Sequence, residues 1–185
     1  MYCVKSLRLA GIACAISSIL AAGTASGPAY AGEAQAAALG PSGLPLPRFV
    51  SLKSGRVNLR LGPGRDYPVQ WLYLKPGLPV EIVQEYDNWR RIRDSDGTEG
   101  WVLQTLLTGK RTAIAAPWVE KDNAMIGLYG AKDEAARRVA DMEPGVMGKV
   151  KECDGVWCNF ESAGYDGYVR QAEIWGAYPG ETFDN

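Results

Sequence analysis

Between Pro47 and Ile114, apolar and polar residues alternate in short runs, each closed by Gly, Pro, Asn or Asp. Val57, Leu59 and Leu61 alternate with Asn58 and Arg60, and Val80, Ile82 and Val83 follow a Pro-Gly turn, so both runs predict half-buried strands. Asp87-Asn88 and Asp96-Gly97 predict hairpin turns, because Asn, Asp and Gly tolerate the left-handed backbone that such turns need. Several short strands spaced by turn signals, with no long helical period, predict an all-β fold built as a small closed or nearly closed barrel.

The pattern returns further along the chain. Pro144-Gly145 matches Pro76-Gly77, Trp157 stands three before Phe160 as Trp89 stands three before Ile92, and Gly167-Tyr168-Val169 matches Gly100-Trp101-Val102. The spacing from Trp89 to Trp157 and from Gly77 to Gly145 is 68 residues in both cases, which argues for internal duplication. Ala124, Ile126 and Leu128 are read as taking the parts of Val57, Leu59 and Leu61. The expected organisation is two tandem units, residues 48–115 and 118–178, with a tail over 179–185. A return strand from Arg111 to Ala115 is expected to close the first unit, and Ala116-Pro117 is the expected joint, since proline interrupts a strand ladder.

Residues 1–31 carry Lys5 and Arg8, an apolar run from Leu9 to about Ala22, and the small-residue site Ala29-Tyr30-Ala31. That layout predicts a secretory signal peptide cleaved after Ala31, and hence a periplasmic or secreted protein. The apolar run is shorter than the roughly 20 residues needed to span a bilayer, so no stable membrane insertion is expected after cleavage. A lipoprotein built on Cys14 is the weaker alternative. Gly32 to Pro47, rich in Ala, Gly and Pro, is expected to be a flexible linker. Its alternative is a proline-rich ligand for a partner or for the chain's own barrels.

Cleavage takes the formal net charge from −1 to −3 by removing Lys5 and Arg8, and leaves Cys153 and Cys158 as the two remaining cysteines. They flank a predicted hairpin turn, Cys153-Asp154-Gly155-Val156-Trp157-Cys158, where cross-strand β-carbons approach to about 4.5–5.5 Å, close enough for a disulfide. Redox exchange is the alternative, but no helix start is predicted there to lower a thiol pKa. The chain of 185 residues has no histidine, which removes the commonest general base and the commonest transition-metal ligand. It also lacks a phosphate-cradling Gly-rich loop. No metal, no cofactor and no enzymatic activity are therefore expected, and the near-neutral charge offers no field for nucleic acid.

Asp87-Asn88-Trp89-Arg90-Arg91-Ile92, Asp96-Gly97, Gly100-Trp101-Val102, Leu106-Leu107, and Val57-Asn58-Leu59-Arg60 with Gly62-Pro63-Gly64 together resemble the bacterial Src-homology-3 domain, especially the version found in secreted alphaproteobacterial proteins. The resemblance covers nearly all of residues 48–178 and implies two tandem Src-homology-3-like barrels, the second more divergent. It also implies that the Trp three positions before the core residue, Trp89 or Trp157, borders a ligand groove. Strand parity sets Trp89, Arg91 and Arg93 on the face opposite Ile92. Tyr67, Trp71 and Tyr73 complete a candidate aromatic rim. The groove tyrosines that grip proline-rich peptides in eukaryotic relatives are absent from Val57 to Leu61, and Leu106 stands where one is expected. The implied function is an exported, non-catalytic binding module for a cell-envelope ligand, either peptidoglycan or a peptide or protein partner. The alternative is a structural or dimerising envelope protein, a possible homodimer, whose aromatic residues are buried between the two barrels.

Overall fold

In a computed structural model of the chain, residues 38–120 and 124–184 are described. The expected signal peptide, its cleavage site after Ala31 and residues 32–37 of the expected linker lie outside them. The described residues belong to one compact unit. No helix among the described residues is long and apolar enough to cross a membrane.

A short hairpin, β1 (Ala38–Leu39) and β2 (Pro45–Leu46), precedes the first sheet. That sheet comprises β3 (Arg48–Leu52), β4 (Val57–Arg60), β5 (Val69–Tyr73), β6 (Pro79–Tyr86), β7 (Trp89–Arg93), β8 (Glu99–Leu103) and β9 (Leu107–Thr108). The second sheet comprises β10 (Thr112–Ala115), β11 (Ile126–Tyr129), β12 (Arg138–Met142), β13 (Met147–Asp154), β14 (Trp157–Ser162), β15 (Tyr165–Arg170), β16 (Ile174–Trp175) and β17 (Thr182–Asp184). One 3-10 turn precedes β9 and another precedes β16. The first sheet runs β5-β4-β8-β7-β6-β3-β9, and the second runs β12-β11-β15-β14-β13-β10-β16, with β17 added on β13. Seven strands thus recur in the same spatial order, which is the duplication that the tryptophan and glycine spacing predicts.

Each copy encloses its own core. Leu52, Val57, Leu59, Val80, Ile82, Ile92 and Val102 fill the first, and Ala113, Ala115, Ile126, Leu128, Val150, Phe160, Val169 and Ile174 fill the second. The Gly-Trp-Val and Gly-Tyr-Val motifs have a steric cause. A Cβ on Gly100 would stand 2.6 Å from Leu59 Cγ, and one on Gly167 would stand 2.6 Å from the Tyr129 carbonyl oxygen. In both copies glycine is what lets the crossing strand close against the barrel. Between β13 and β14, the Asp154 carboxylate accepts the backbone N–H groups of Val156 and Trp157 at 3.0 and 2.8 Å, and Gly155 takes a φ of 95°. Cys153 and Cys158 face each other in direct register beside this turn and are joined as a disulfide.

Four expectations are corrected. Thr112–Ala115 does not close the first unit: β10 pairs with β13 and β16, because Ala113 and Ala115 are fully buried in the second core, where β3 stands in the first. Leu61 is exposed, because β4 ends at Arg60 and the chain turns away at Gly62. The register of the second copy shifts accordingly. Ile126 and Leu128 replace Val57 and Leu59, and Tyr129 replaces Arg60, since Ile126 pairs with Met142 as Val57 pairs with Tyr73. Residues 38–47 are not a flexible linker but a hairpin tied to the first barrel. Ser42 donates to the Glu85 carboxylate from its backbone N–H at 2.9 Å and from its hydroxyl at 2.8 Å, and Leu46 packs on the first core.

The two barrels meet through aromatic rings and buried polar groups. Phe49 packs edge-on against Trp175 at 5.0 Å and beside Tyr178 at 4.7 Å. The Tyr178 hydroxyl donates to Glu81 at 2.7 Å, and burial together with that bond pushes the phenol above its ordinary pKa. Thr112 donates to the Gly77 carbonyl at 2.7 Å. Arg111 sits 4.0 Å above the Phe183 ring and pairs with Glu181 at 2.9 Å, clamping the C-terminal tail.

Three outcomes follow from this packing. Phe49→Ala should cost about 3 kcal/mol in urea unfolding, as for a buried aromatic truncated to alanine; an unchanged midpoint would refute the shared interface. Reduction of the disulfide, or its replacement by Cys153→Ala with Cys158→Ala, should lower stability by about 2 kcal/mol, the loop-entropy value for so short a bridge. Burial disfavours the Glu85 carboxylate, yet hydrogen bonds from Arg48 and Ser42 outweigh it and hold the group at about 2, against 4.5 ordinarily. A depressed pKa contributes stability that is present above 4.5 and lost as pH falls toward 2. The protection factor of the Ser42 amide should therefore fall across that window in the wild type, while in Glu85→Gln it should stay flat.

Candidate functional site

Strand β7 exposes two chemistries on opposite faces. Ile92 points into the core and Arg90 shares its side, buried, with Nε 3.2 Å from Glu85 and Nη2 donating to Gln104 at 2.6 Å. Trp89, Arg91 and Arg93 take the outer face, as parity predicts, but the three do not form one open patch. Arg91 pairs with Glu99 at 2.8 Å and Arg93 Nε donates to Glu81 at 2.8 Å, so both are half-exposed cations with partners. The Glu81 and Glu99 carboxylates hold the Arg93 guanidinium above its ordinary pKa, against the effect of burial.

Trp89 is 8% exposed and Trp157 7% exposed, so neither indole stands out from the surface. Trp89 lines a cleft of about 200 Å³ with Arg56, Asn58, Arg60, Arg65, Leu103 and Leu106, and as the one buried residue among them it forms the floor. Arg60 fixes that loop by donating from Nη1 to the carbonyls of Arg65 at 2.9 Å and Tyr67 at 2.7 Å. Tyr67, 48% exposed, lies against Gly62 and Gly64, where a Cβ would meet its ring. Trp71, 58% exposed, lies on the outer part of the same hairpin. Tyr73 leaves the expected rim altogether: paired with Val57 inside the barrel, its hydroxyl donates to the buried Asp94 at 2.8 Å. Burial and the Asp94 bond push that phenol above its ordinary pKa.

The arginines around Trp89 differ from the rest of the barrel. Arg48, Arg90, Arg91 and Arg93 each have a carboxylate partner. Arg56, Arg60 and Arg65 have no carboxylate partner among the described residues. Sequence reasoning missed all three, although parity carries part of the signal: Arg56, Asn58 and Arg60 alternate with the buried Val57 and Leu59 and so must face outward. Arg65 sits in the loop, where no periodicity applies.

The second barrel builds the same position and closes it with its own side chains. Tyr129, in the place of Arg60, stands edge-on to Trp157 at 5.7 Å, and Arg170, in the place of Leu103, covers the Trp157 ring at 4.8 Å. Arg170 is in turn paired with Glu134 at 2.8 Å, and Arg138 lies 5.7 Å over Tyr129. A larger cavity lies elsewhere. It holds about 900 Å³ between the first barrel, the hairpin of Pro45 and Pro47, and the tail at Tyr178. Its arginines, Arg48, Arg90 and Arg111, are each paired with a glutamate, so it offers volume without unspent charge. The Trp89 cleft offers a flat ring, three guanidiniums, an amide and two leucines. These are groups that can stack on a bound molecule or donate hydrogen bonds to it.

No curated protein matches the chain. Among solved structures it is similar to NlpC2 from Trichomonas vaginalis, at 14% identity over 70% of this chain and 48% of that one, with a TM-score of 0.31. It is similar to NlpC1 from the same organism at 14% identity, over 69% of this chain and 45% of that one, with a TM-score of 0.31. An NlpC/P60 family protein from Bacillus cereus matches at 11% identity, over 69% of this chain and 55% of that one, with a TM-score of 0.30. The chain spans about half the length of each. The model of the bacterial SH3 domain matches twice, at residues 53–109 and 123–176, one match in each barrel. With both of its barrels so matched, the chain belongs to the bacterial SH3 domain family.

Proposed function

We propose that this protein is a non-catalytic binding module of the cell envelope, and that the first barrel recognises its ligand, peptidoglycan or a peptide or protein partner, at the Trp89 cleft. One observation carries the reading: the cleft leaves three guanidiniums without carboxylate partners around an indole floor, whereas the same position in the second barrel is filled by Tyr129 and Arg170. An aromatic floor with cationic walls suits an extended, partly polar ligand. The family supports a binding role, and the exported address read from residues 1–31 supports the envelope as its place. Exposed Tyr67 and Trp71 extend the apolar surface beside the cleft.

The structural reading draws on a different set of rings. Phe49, Trp175 and Tyr178 pack between the barrels and account for their cohesion, while Trp89 takes no part in that contact. The two roles are therefore carried by separate surfaces of one chain.

Retention on purified cell-wall sacculi tests the proposal. The wild type should co-sediment, and Trp89→Phe, which keeps the packing but removes the indole, should be retained several-fold less with an unchanged circular dichroism spectrum. Failure of the wild type to sediment would remove the wall-ligand version.

A further inference from the structure

We propose that the Trp89 cleft is a carboxylate pocket, whose ligand presents a free carboxylate to Arg56, Arg60 and Arg65. The inference rests on the reading that the first barrel binds at this cleft, but not on where the ligand comes from.

Charge accounting is the first argument. Elsewhere on the first barrel each arginine lies within 3.2 Å of a glutamate oxygen or closer. Around Trp89, three arginines line one small space with no acid among its lining residues. Like charges lining one cleft repel one another, and an anion entering it relieves that repulsion while gaining charge-assisted hydrogen bonds.

Size is the second. A cleft of about 200 Å³ is smaller than the roughly 300–1,000 Å³ of a pocket that encloses a drug-sized molecule. It takes a headgroup on a thin stem, with the rest of the ligand lying outside across the surface near Tyr67 and Trp71.

Shape distinguishes carboxylate from phosphate. The guanidinium fork suits both, but a tetrahedral dianion wants donors on all sides. Here Trp89, Leu103 and Leu106 make up three of the seven lining residues, so donors do not surround the space. A planar carboxylate on an apolar stem fits that division: oxygens toward Arg56, Arg60 and Arg65, and the methyl or methylene beside it against the indole and leucines. Asn58 adds an amide that can donate to the ligand or accept from it.

Arg60 is already oriented by the Arg65 and Tyr67 carbonyls, so little of its freedom remains to be lost on binding. Tyr129 and Arg170 block the corresponding place in the second barrel, so the stoichiometry is one carboxylate per chain.

The experiment is an NMR titration of the whole protein, following the Trp89 indole N–H, assigned by its loss in Trp89→Phe. The probes are N-acetyl-alanyl-alanine with a free C-terminal carboxylate, the same dipeptide as its C-terminal amide, and inorganic phosphate. The acid should shift the resonance saturably at one site, the amide should bind at least roughly tenfold more weakly, and Arg56→Gln or Arg65→Gln should each weaken the acid by roughly tenfold. Both arginines are exposed, so their substitution leaves the fold intact. Equal binding of acid and amide, a silent resonance with the acid, or a response to phosphate alone would each overturn the assignment. Sacculus retention without acid binding would overturn this proposal and leave the functional reading standing; acid binding without sacculus retention would keep this proposal and remove the wall-ligand version of that reading.

Discussion

The contact of Phe49 with Trp175 and Tyr178 is the constraint on which the arrangement depends. A barrel of about 60 residues buries only about 60% of the surface that its unfolded chain exposes, and is marginal alone. Packing two such barrels through large rings buries apolar area that neither could bury by itself. The polar groups caught in the junction are satisfied across it: Tyr178 by Glu81, and Thr112 by the Gly77 carbonyl. Because Glu81 also holds Arg93, the outer face of the first barrel and the junction share one buried carboxylate.

Duplication gave the chain two equivalent strand frameworks, and the side chains then diverged at equivalent places. The second copy carries the disulfide between Cys153 and Cys158 and receives β17 along β13, so its central hairpin is reinforced from within and from outside. The first copy has neither; its central hairpin is instead reinforced by the N-terminal segment, through Ser42 and Arg48 on Glu85. Each barrel is thus strapped by the end of the chain nearest to it.

The fold was legible because its strongest signals are local. Pro-Gly turns, the Gly-Trp-Val motif and the tryptophan spacing each encode a steric need that the structure displays, such as the approach of Leu59 to Gly100. The assignment of Thr112–Ala115 was not legible: an alternating run reads the same whichever sheet it joins, and only the burial of Ala113 and Ala115 in the second core decides it. Parity sets Trp89 on the face opposite Ile92 but says nothing about what else lines that face, so the burial of its indole was out of reach. Tyr73 shows the same limit. Its place inside the barrel follows from pairing with Val57 and from Asp94, a partner 21 residues away.

Arg60 is where framework and site become one. In both copies the neck of the loop between the equivalent strands is closed by a backbone bond, Leu61 N–H to the Pro68 carbonyl in the first and Gly130 N–H to the Arg137 carbonyl in the second. Beyond the neck they part. In the first copy the loop is held by the Arg60 guanidinium, which donates from one nitrogen to the loop's own carbonyls and also lines the cleft. In the second, Tyr129 stands at that position and turns its ring to Trp157, so the same volume is occupied by an aromatic contact and the covering Arg170. Two exchanges, tyrosine for arginine at Tyr129 and arginine for leucine at Arg170, therefore separate a barrel that keeps a charged opening from one that covers it. The sealed barrel gains packing, and the open one leaves its charge to be met from outside.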